Sequence, residues 1–331
     1  MKLHENSLLF RQAIQATADQ LQIPAIYVEK DYWVTFALYL IFHHSIGDDV
    51  VFKGGTALVK CYGIIERFSE DIDLVVIRRE GETDSKLSTK IKKVGQVIHE
   101  MLPEIQVEGL THKRGMTRKT AHSYQKSFDG LYGQVRDSIV VEATWLGYYE
   151  PYRRKTIQPF VGEMVEKQEK NLAEQFQLQA FEVQVLEPSR TLCEKIMSLV
   201  RFSYGEVPLT DLKKKIRHTY DLHQLLQNED VRQFFETEAF DEMLLKVGQD
   251  DVSSFKNNNQ WLQYPPKDAL LFRELEGVWG ELRKTYTSDF RNLIYGVFPP
   301  EDVILGTLRT IRARLENVNW SIRLQDNQSE N

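Results

Sequence analysis

At 331 residues and 42% apolar content, the chain is long enough for one large domain or two moderate ones with a sizeable core. A net charge of −6 excludes a uniformly basic, nucleic-acid-coating surface while leaving room for a local basic groove. The two cysteines, Cys61 and Cys193, fit neither a zinc spacing nor a disulfide framework, and no stretch has the length of a membrane span or the uninterrupted core of a signal peptide. Together these point to a soluble, cytoplasmic protein.

Along the chain, residues 6–45 carry apolar positions at Phe10, Ile14, Ala18 and Leu21, then at Trp33, Phe36, Ala37 and Leu40. That spacing predicts two helices broken near Pro24. "DDVVFKGG" reads as a short buried strand ending in a glycine turn, "TALVKCYGI" as a short helix and "DIDLVVI" as a second strand. "EGETDSK" is a polar loop, and "STKIKKVGQVIHEML" has helical spacing that stops before Pro103. Strands are predicted in "IQVEGLTHKRG", "KSFDGLYG" and "DSIVVEATWLG". From Glu187 the texture turns helical through "PSRTLCEKIMSLVRFSY", "LTDLKKKIRHTYDLHQLLQ", "VRQFFETEAFDEMLLKVG", "DALLFRELEGVWGELRKTY" and "PEDVILGTLRTIRARLENV". The expected class is α+β, with a mixed sheet and flanking helices in residues 1–186 and a helical domain in residues 187–325. No internal repeat or low-complexity tract interrupts it.

The stretch "VVFKGGTALVKCYGIIERFSEDIDLVV", Val50 to Val76, carries the chemistry. Glycines after a strand let backbone approach a ligand closely, and a helix start aims free N–H groups at it, which favours phosphate. Gly54, Gly55 and Thr56 fall there. The spacing is neither a Walker A loop nor a GxGxxG dinucleotide turn. On a strand, positions i and i+2 share a face, so Asp71 and Asp73 present two carboxylates to one point. Buried carboxylates need a partner, and hard oxygen ligands so spaced suit Mg²⁺ completed by water and substrate phosphate. Two such ions can activate a hydroxyl and stabilise a pyrophosphate leaving group. The competing reading pairs the aspartates with Arg67, Arg78 or Arg79.

Glycine turn, helix and paired aspartates in this order resemble the nucleotidyltransferase superfamily signature. The spacer, Thr56 to Glu70, is fifteen residues, at or slightly beyond the long end of the general pattern. "VEKDYWVT", "FKGGTAL", "RFSEDIDL", "TLCEKIMSLVR" and "IRHTYDLHQLL" appear in the order of the AbiEii/AbiGii toxin family, nucleotidyltransferase-like toxins that include the MenT enzymes. The resemblance runs from about Val28 to Leu226. It implies a nucleotidyltransferase-fold sheet in which Gly54, Gly55 and Thr56 form the phosphate turn. By the same resemblance Ser69, Asp71 and Asp73 form the metal and triphosphate site, Lys195 supplies the next motif and Asp221 the last. It implies a toxin of a toxin–antitoxin or phage-defence system that uses Mg²⁺ or Mn²⁺ to move a nucleotide from an NTP to an acceptor, the tRNA 3′ end first among candidates. An antitoxin encoded nearby would be its partner.

Each residue also has a plainer reading. Lys195 lies on the flank of the stripe Leu192, Ile196, Leu199 and Val200, so it either reaches a cleft or sits on the surface paired with Glu194 or Glu187. Asp221 follows Arg217 by four residues, which suits a helix ion pair as well as a carboxylate that orients Lys195 or the acceptor hydroxyl. Glu142, between Val141 and Ala143, is either a third metal carboxylate or an edge-strand side chain facing solvent. "HKRGMTRKTAHSYQK", Arg153 to Lys155 and Lys213 to Lys215 provide positive charge for an RNA backbone or simply solvated faces. The histidines have no ligand spacing. The rival functions are the same chemistry on a protein or small-molecule hydroxyl, and nucleotide or RNA binding without chemistry.

Overall fold

A computed structural model describes residues 1–113, 115–130, 136–255 and 258–324. Two units emerge from its contacts: Met1–Trp145 with Pro151–Leu186, and Leu146–Glu150 with Glu187 onward.

The first unit opens with two helices, α1 (Ser7–Leu21) and α2 (Ala25–Phe42), and Pro24 sits at the N-cap of the second, where a missing N–H costs nothing. α2 is buried along nearly its whole length, including the consecutive ionisable residues Glu29, Lys30 and Asp31. The aliphatic run Val50–Lys53 forms β1. Helix α3 (Gly54–Ala57) begins at the first glycine itself and continues through a wider turn to Tyr62. Next come β2 (Ile72–Val76), α4 (Asp84–His99), β3 (Glu104–Ile105), β4 (Thr117–His122), β5 (Ile139–Thr144) and β6 (Tyr152–Ile157). Helices α5 (Phe160–Gln168) and α6 (Lys170–Gln175) lead to β7 (Phe181–Leu186).

The strands make one seven-stranded mixed sheet in the order β3-β4-β5-β2-β1-β7-β6. β1 runs antiparallel to β2 and parallel to β7, while β2 runs parallel to β5. A single apolar core joins α1, α2 and α4 to this sheet. The expected strand at "IQVEGLTHKRG" reduces to Glu104–Ile105 and an isolated bridge from His112 to Lys119, because Gly109 and Gly115, both at φ near +70°, turn the chain. The expected strand at "KSFDGLYG" is absent over Lys126–Gly130, where the Glu29 carboxylate captures the Ser127 and Phe128 N–H groups that a ladder would use; Leu131–Gly133 lie outside the described residues.

The second unit is helical: α7 (Pro188–Ser203), α8 (Pro208–Lys214), α9 (Ile216–Gln227), α10 (Glu229–Phe235), α11 (Glu238–Ser254), α12 (Leu270–Arg273), α13 (Leu275–Thr287) and α14 (Glu301–Leu315). The continuous helix expected across residues 231–248 divides at Thr237, whose hydroxyl bonds back to the Phe234 carbonyl. Among the described residues, no helix is long and apolar enough to cross a membrane.

Candidate active site

Four charged residues line up across the centre of the sheet. The β1–β2 register sets Lys53 opposite Asp73, the β2–β5 register sets Asp73 opposite Glu142, and the β4–β5 register sets Lys119 opposite Glu142. Residues directly opposed on neighbouring strands project to the same face, where like charges repel. β5 is an interior strand, so Glu142 is not the edge residue of the plainer reading. Burial, then Glu142, then Asp71 push the Asp73 carboxyl up to about 7, with Lys53 and Lys119 pulling the other way.

The glycine turn abuts this row. Gly54 has φ +83°, and a Cβ there would stand 2.3 Å from Asp73 Oδ2, so both backbone and space demand glycine. A Cβ on Gly55 would meet the Arg67 guanidinium at 2.5 Å and Ser69 Oγ at 3.0 Å. The Thr56 hydroxyl donates to the Asp71 carbonyl at 2.6 Å and shares a 2.9 Å hydrogen bond with Ser69 Oγ. Gly54, Gly55, Thr56, Ser69, Asp71 and Asp73 therefore form one contiguous cluster.

Asp71 lies just before β2 and pairs with Arg136, 3.0 Å from Nη1 to Oδ1. Glu142 pairs with Lys119 at 3.1 Å. Arg79 reaches Asp49 at 2.9 Å, Arg78 donates to the Trp145 carbonyl, and Arg67 donates to the Phe68 carbonyl. Sequence reasoning missed Arg136, which lies 65 residues from its partner and carries no local signal.

Behind the cluster, the "VEKDYWVT" helix does specific mechanical work. Glu29 accepts from the Ser127 and Phe128 N–H groups. Lys30 pairs with Glu70 at 3.2 Å and donates to the carbonyls of Arg136 and Ser138. Asp31 pairs with Lys60, which lies in the segment after the glycine turn, and accepts from the Phe160 N–H. Burial pulls the Lys30 ammonium down and pushes the Glu70 carboxyl up, while each one's charge supports the other. Three ionisable residues inside an otherwise apolar helix were the legible signal that such partners exist.

Carboxylate oxygens on one face, with mutual repulsion that a divalent ion relieves, match a hard cation. Among the described residues, no three such side chains stand as a ready-made ligand set. One or two carboxylates with water and nucleotide phosphate completing the sphere is the arrangement Mg²⁺ commonly adopts.

Within the second unit, Lys195 is buried and donates to Asp221 at 2.7 Å; Asp221 is wholly buried. His218 Nδ1 lies 3.4 Å from the same ammonium. The surface-lysine reading therefore fails. A second buried cation, Arg190, pairs with Glu194 and, at 2.6 Å, with Asp250.

Within the first unit, the described basic segments do not form one strip. Lys119 and Arg118 sit on β4, whereas Arg153, Arg154 and Lys155 sit on β6 at the opposite edge of the sheet. Several are paired: Lys113 with Glu104, Lys126 with Asp137, Arg154 with Glu182 and Lys214 with Asp211. Arg114 lies outside the described residues.

A mixed sheet with a glycine turn against two aspartates defines the class as a nucleotidyltransferase. The family model described as "Nucleotidyl transferase AbiEii toxin, Type IV TA system" matches residues 37–317, and the chain belongs to that family. Comparison with individually curated proteins finds no match. Family membership makes the chain an enzyme of nucleotide transfer, with an NTP as substrate and an antitoxin as partner, and it displaces the binding-only reading.

Proposed function

We propose that this chain is a divalent-metal-dependent toxin that transfers a nucleotide from an NTP to the 3′ end of tRNA. The observation that supports this reading best is the Asp73–Glu142 opposition on adjacent strands, with Asp71 two residues away and the Gly54–Gly55 turn against the Asp73 carboxylate.

In this reading Gly54, Gly55, Thr56 and Ser69 take the triphosphate, and within the second unit Asp221 fixes the ammonium of Lys195, the lysine that the family resemblance assigns to the reaction. Asp71 and Asp73 would hold Mg²⁺ or Mn²⁺, with Glu142, opposite Asp73, the candidate third carboxylate. When bound, such an ion would supply charge neutralisation at the α-phosphoryl group and at the departing pyrophosphate. The acceptor hydroxyl forms the new P–O bond, the bond to the β-phosphate oxygen breaks, and the hydroxyl proton passes to the carboxylate cluster. Positioning and charge stabilisation carry the rate, since phosphoryl transfer asks for little covalent chemistry from the protein. Action in phage defence fits the toxin family and belongs to the same proposal.

The test is incubation of the purified chain with total tRNA, Mg²⁺ and each α-³²P-labelled NTP in turn, beside an Asp71→Ala control. Label on tRNA from one nucleotide, absent in the control, is the expected result. Label on protein or on a small molecule would overturn the tRNA assignment while leaving the chemistry, and undiminished transfer by Asp71→Ala would overturn the metal site.

A further inference from the structure

We infer that Arg136 is a substrate-positioning residue on the acceptor side of the site, receiving a backbone phosphate of the RNA whose end nucleotide lies in the groove beside it. This inference rests on the proposed reading of Asp71, Asp73 and the glycine turn.

Topology supplies the first argument. β2 is flanked by β1, which ends in the glycine turn, and on its other side by β5. The attacking and leaving oxygens of phosphoryl transfer stand roughly in line on opposite sides of the phosphorus. A pyrophosphate departing toward the β1 glycine turn therefore requires the acceptor to enter from the β5 side. Arg136 stands on that side, three residues before β5 begins, with its guanidinium already on Asp71.

The second argument is the groove. A cavity of about 670 Å³ is lined by Val107, Glu108, Leu110, Arg136, Asp137 and Ser138. That volume is within the usual range for a small-molecule site, roughly 300–1,000 Å³. Val107 and Leu110 offer apolar surface to a base, and the exposed Asp137 offers a hydrogen-bond acceptor to a ribose. Lys126 already offsets the Asp137 charge at 2.7 Å, and Glu108 is exposed to solvent.

Third, the backbone of Arg136 is held from both sides by a buried ion pair. Its N–H donates to both Glu70 oxygens, at 2.8 and 3.0 Å, and its carbonyl accepts from Lys30 Nζ at 2.8 Å. Burying two charges is costly, and this pair directs its remaining hydrogen bonds at Arg136, beside Asp71, and at the Ser138 carbonyl two residues on. The Arg136 side chain is 43% exposed and its guanidinium lies 3.0 Å from Asp71 and 3.7 Å from Glu70, so the exposed pair with Asp71 is weak and can be exchanged for a phosphate, which suits the planar fork.

Arg136→Gln and Arg136→Lys test this with total tRNA as probe. For Arg136→Gln we expect the KM for tRNA to rise about tenfold and the KM for NTP to stay within about twofold. The salt dependence of binding to fluorescein-labelled tRNA should flatten by about 0.7 to 0.9 in log–log slope, the loss of one phosphate contact. Arg136→Lys should recover part of the affinity and the slope. An unchanged tRNA KM, or a rise confined to NTP, would overturn the assignment. Wild-type transfer to a non-RNA acceptor would overturn it too, while leaving the Asp71 and Asp73 reading intact; that reading fails separately if Asp71→Ala retains transfer.

Discussion

Asp73 and Glu142 stand directly opposite each other on the parallel strands β2 and β5, two carboxylates on one face of an interior strand pair, with lysines one strand further out on either side. Like charges so placed destabilise a sheet unless something else uses them.

The first prediction follows from that cost. With its pKa pushed up to about 7, Asp73 holds a proton in the folded protein at pH values where the unfolded chain, near 3.8, has released it. Folding then binds a proton across this window, so the contribution of Asp73 to stability falls as pH rises from about 4 to about 7. Asp73→Asn should raise stability at pH 8 by roughly 1 to 3 kcal/mol in chelator-treated protein and much less at pH 4, by denaturant unfolding at both pH values. Equal effects at the two pH values would contradict the assignment.

Gly54 permits no side chain. Gly54→Ala combines a left-handed φ with a 2.3 Å approach to Asp73 Oδ2, and it should cost at least about 1 to 2 kcal/mol while displacing that carboxylate. The expected result is a protein that still folds, with a lowered melting temperature and transfer reduced at least about 100-fold. A variant with wild-type transfer would show that the Asp73 position tolerates the shift.

Breaking the Lys195–Asp221 pair should be severe because Asp221 is fully buried. Asp221→Ala strands an ammonium and should cost about 3 to 5 kcal/mol. Replacing both residues, Lys195→Met with Asp221→Leu, should recover most of that loss. Transfer should remain absent in the recovered double variant. Transfer at the wild-type rate would make the pair purely structural.

The path from sequence to site was legible where local rules suffice. Val50–Lys53 and Ile72–Val76 read as strands because aliphatic runs flank glycines and aspartates, and α2 followed from Pro24 and its apolar content. β6 and β4 were hidden because "YRRKTI" and "TRKTAH" carry consecutive charges: β6 is an edge strand that can keep them in water, and β4 pairs Lys119 with Glu142. β7, with Phe181, Val183 and Val185 alternating, carries a readable period of two. Arg136, Glu70 and Lys30 meet through long-range ion pairs and backbone capture, which no spacing rule encodes.

The lysine in "VEKDYWVT" offers one more check. Lys30→Met removes the nearer of two cations from the buried Glu70, leaving the Arg136 guanidinium at 3.7 Å, and frees the carbonyls of Arg136 and Ser138. It should destabilise the protein by about 3 to 5 kcal/mol, and Lys30→Met with Glu70→Gln should regain part of that. An additive result in this double-mutant cycle would show that the two side chains act independently.

The most direct measurement is pyrophosphate release in the presence of total tRNA and the four NTPs, titrated with Mg²⁺, for the wild-type chain and for Asp73→Asn with matched circular dichroism spectra. Release that requires the divalent ion in the wild type and is absent from the folded Asp73→Asn protein is the expected result. Release by Asp73→Asn at the wild-type rate, or release undiminished by a chelator, would contradict the carboxylate–metal site.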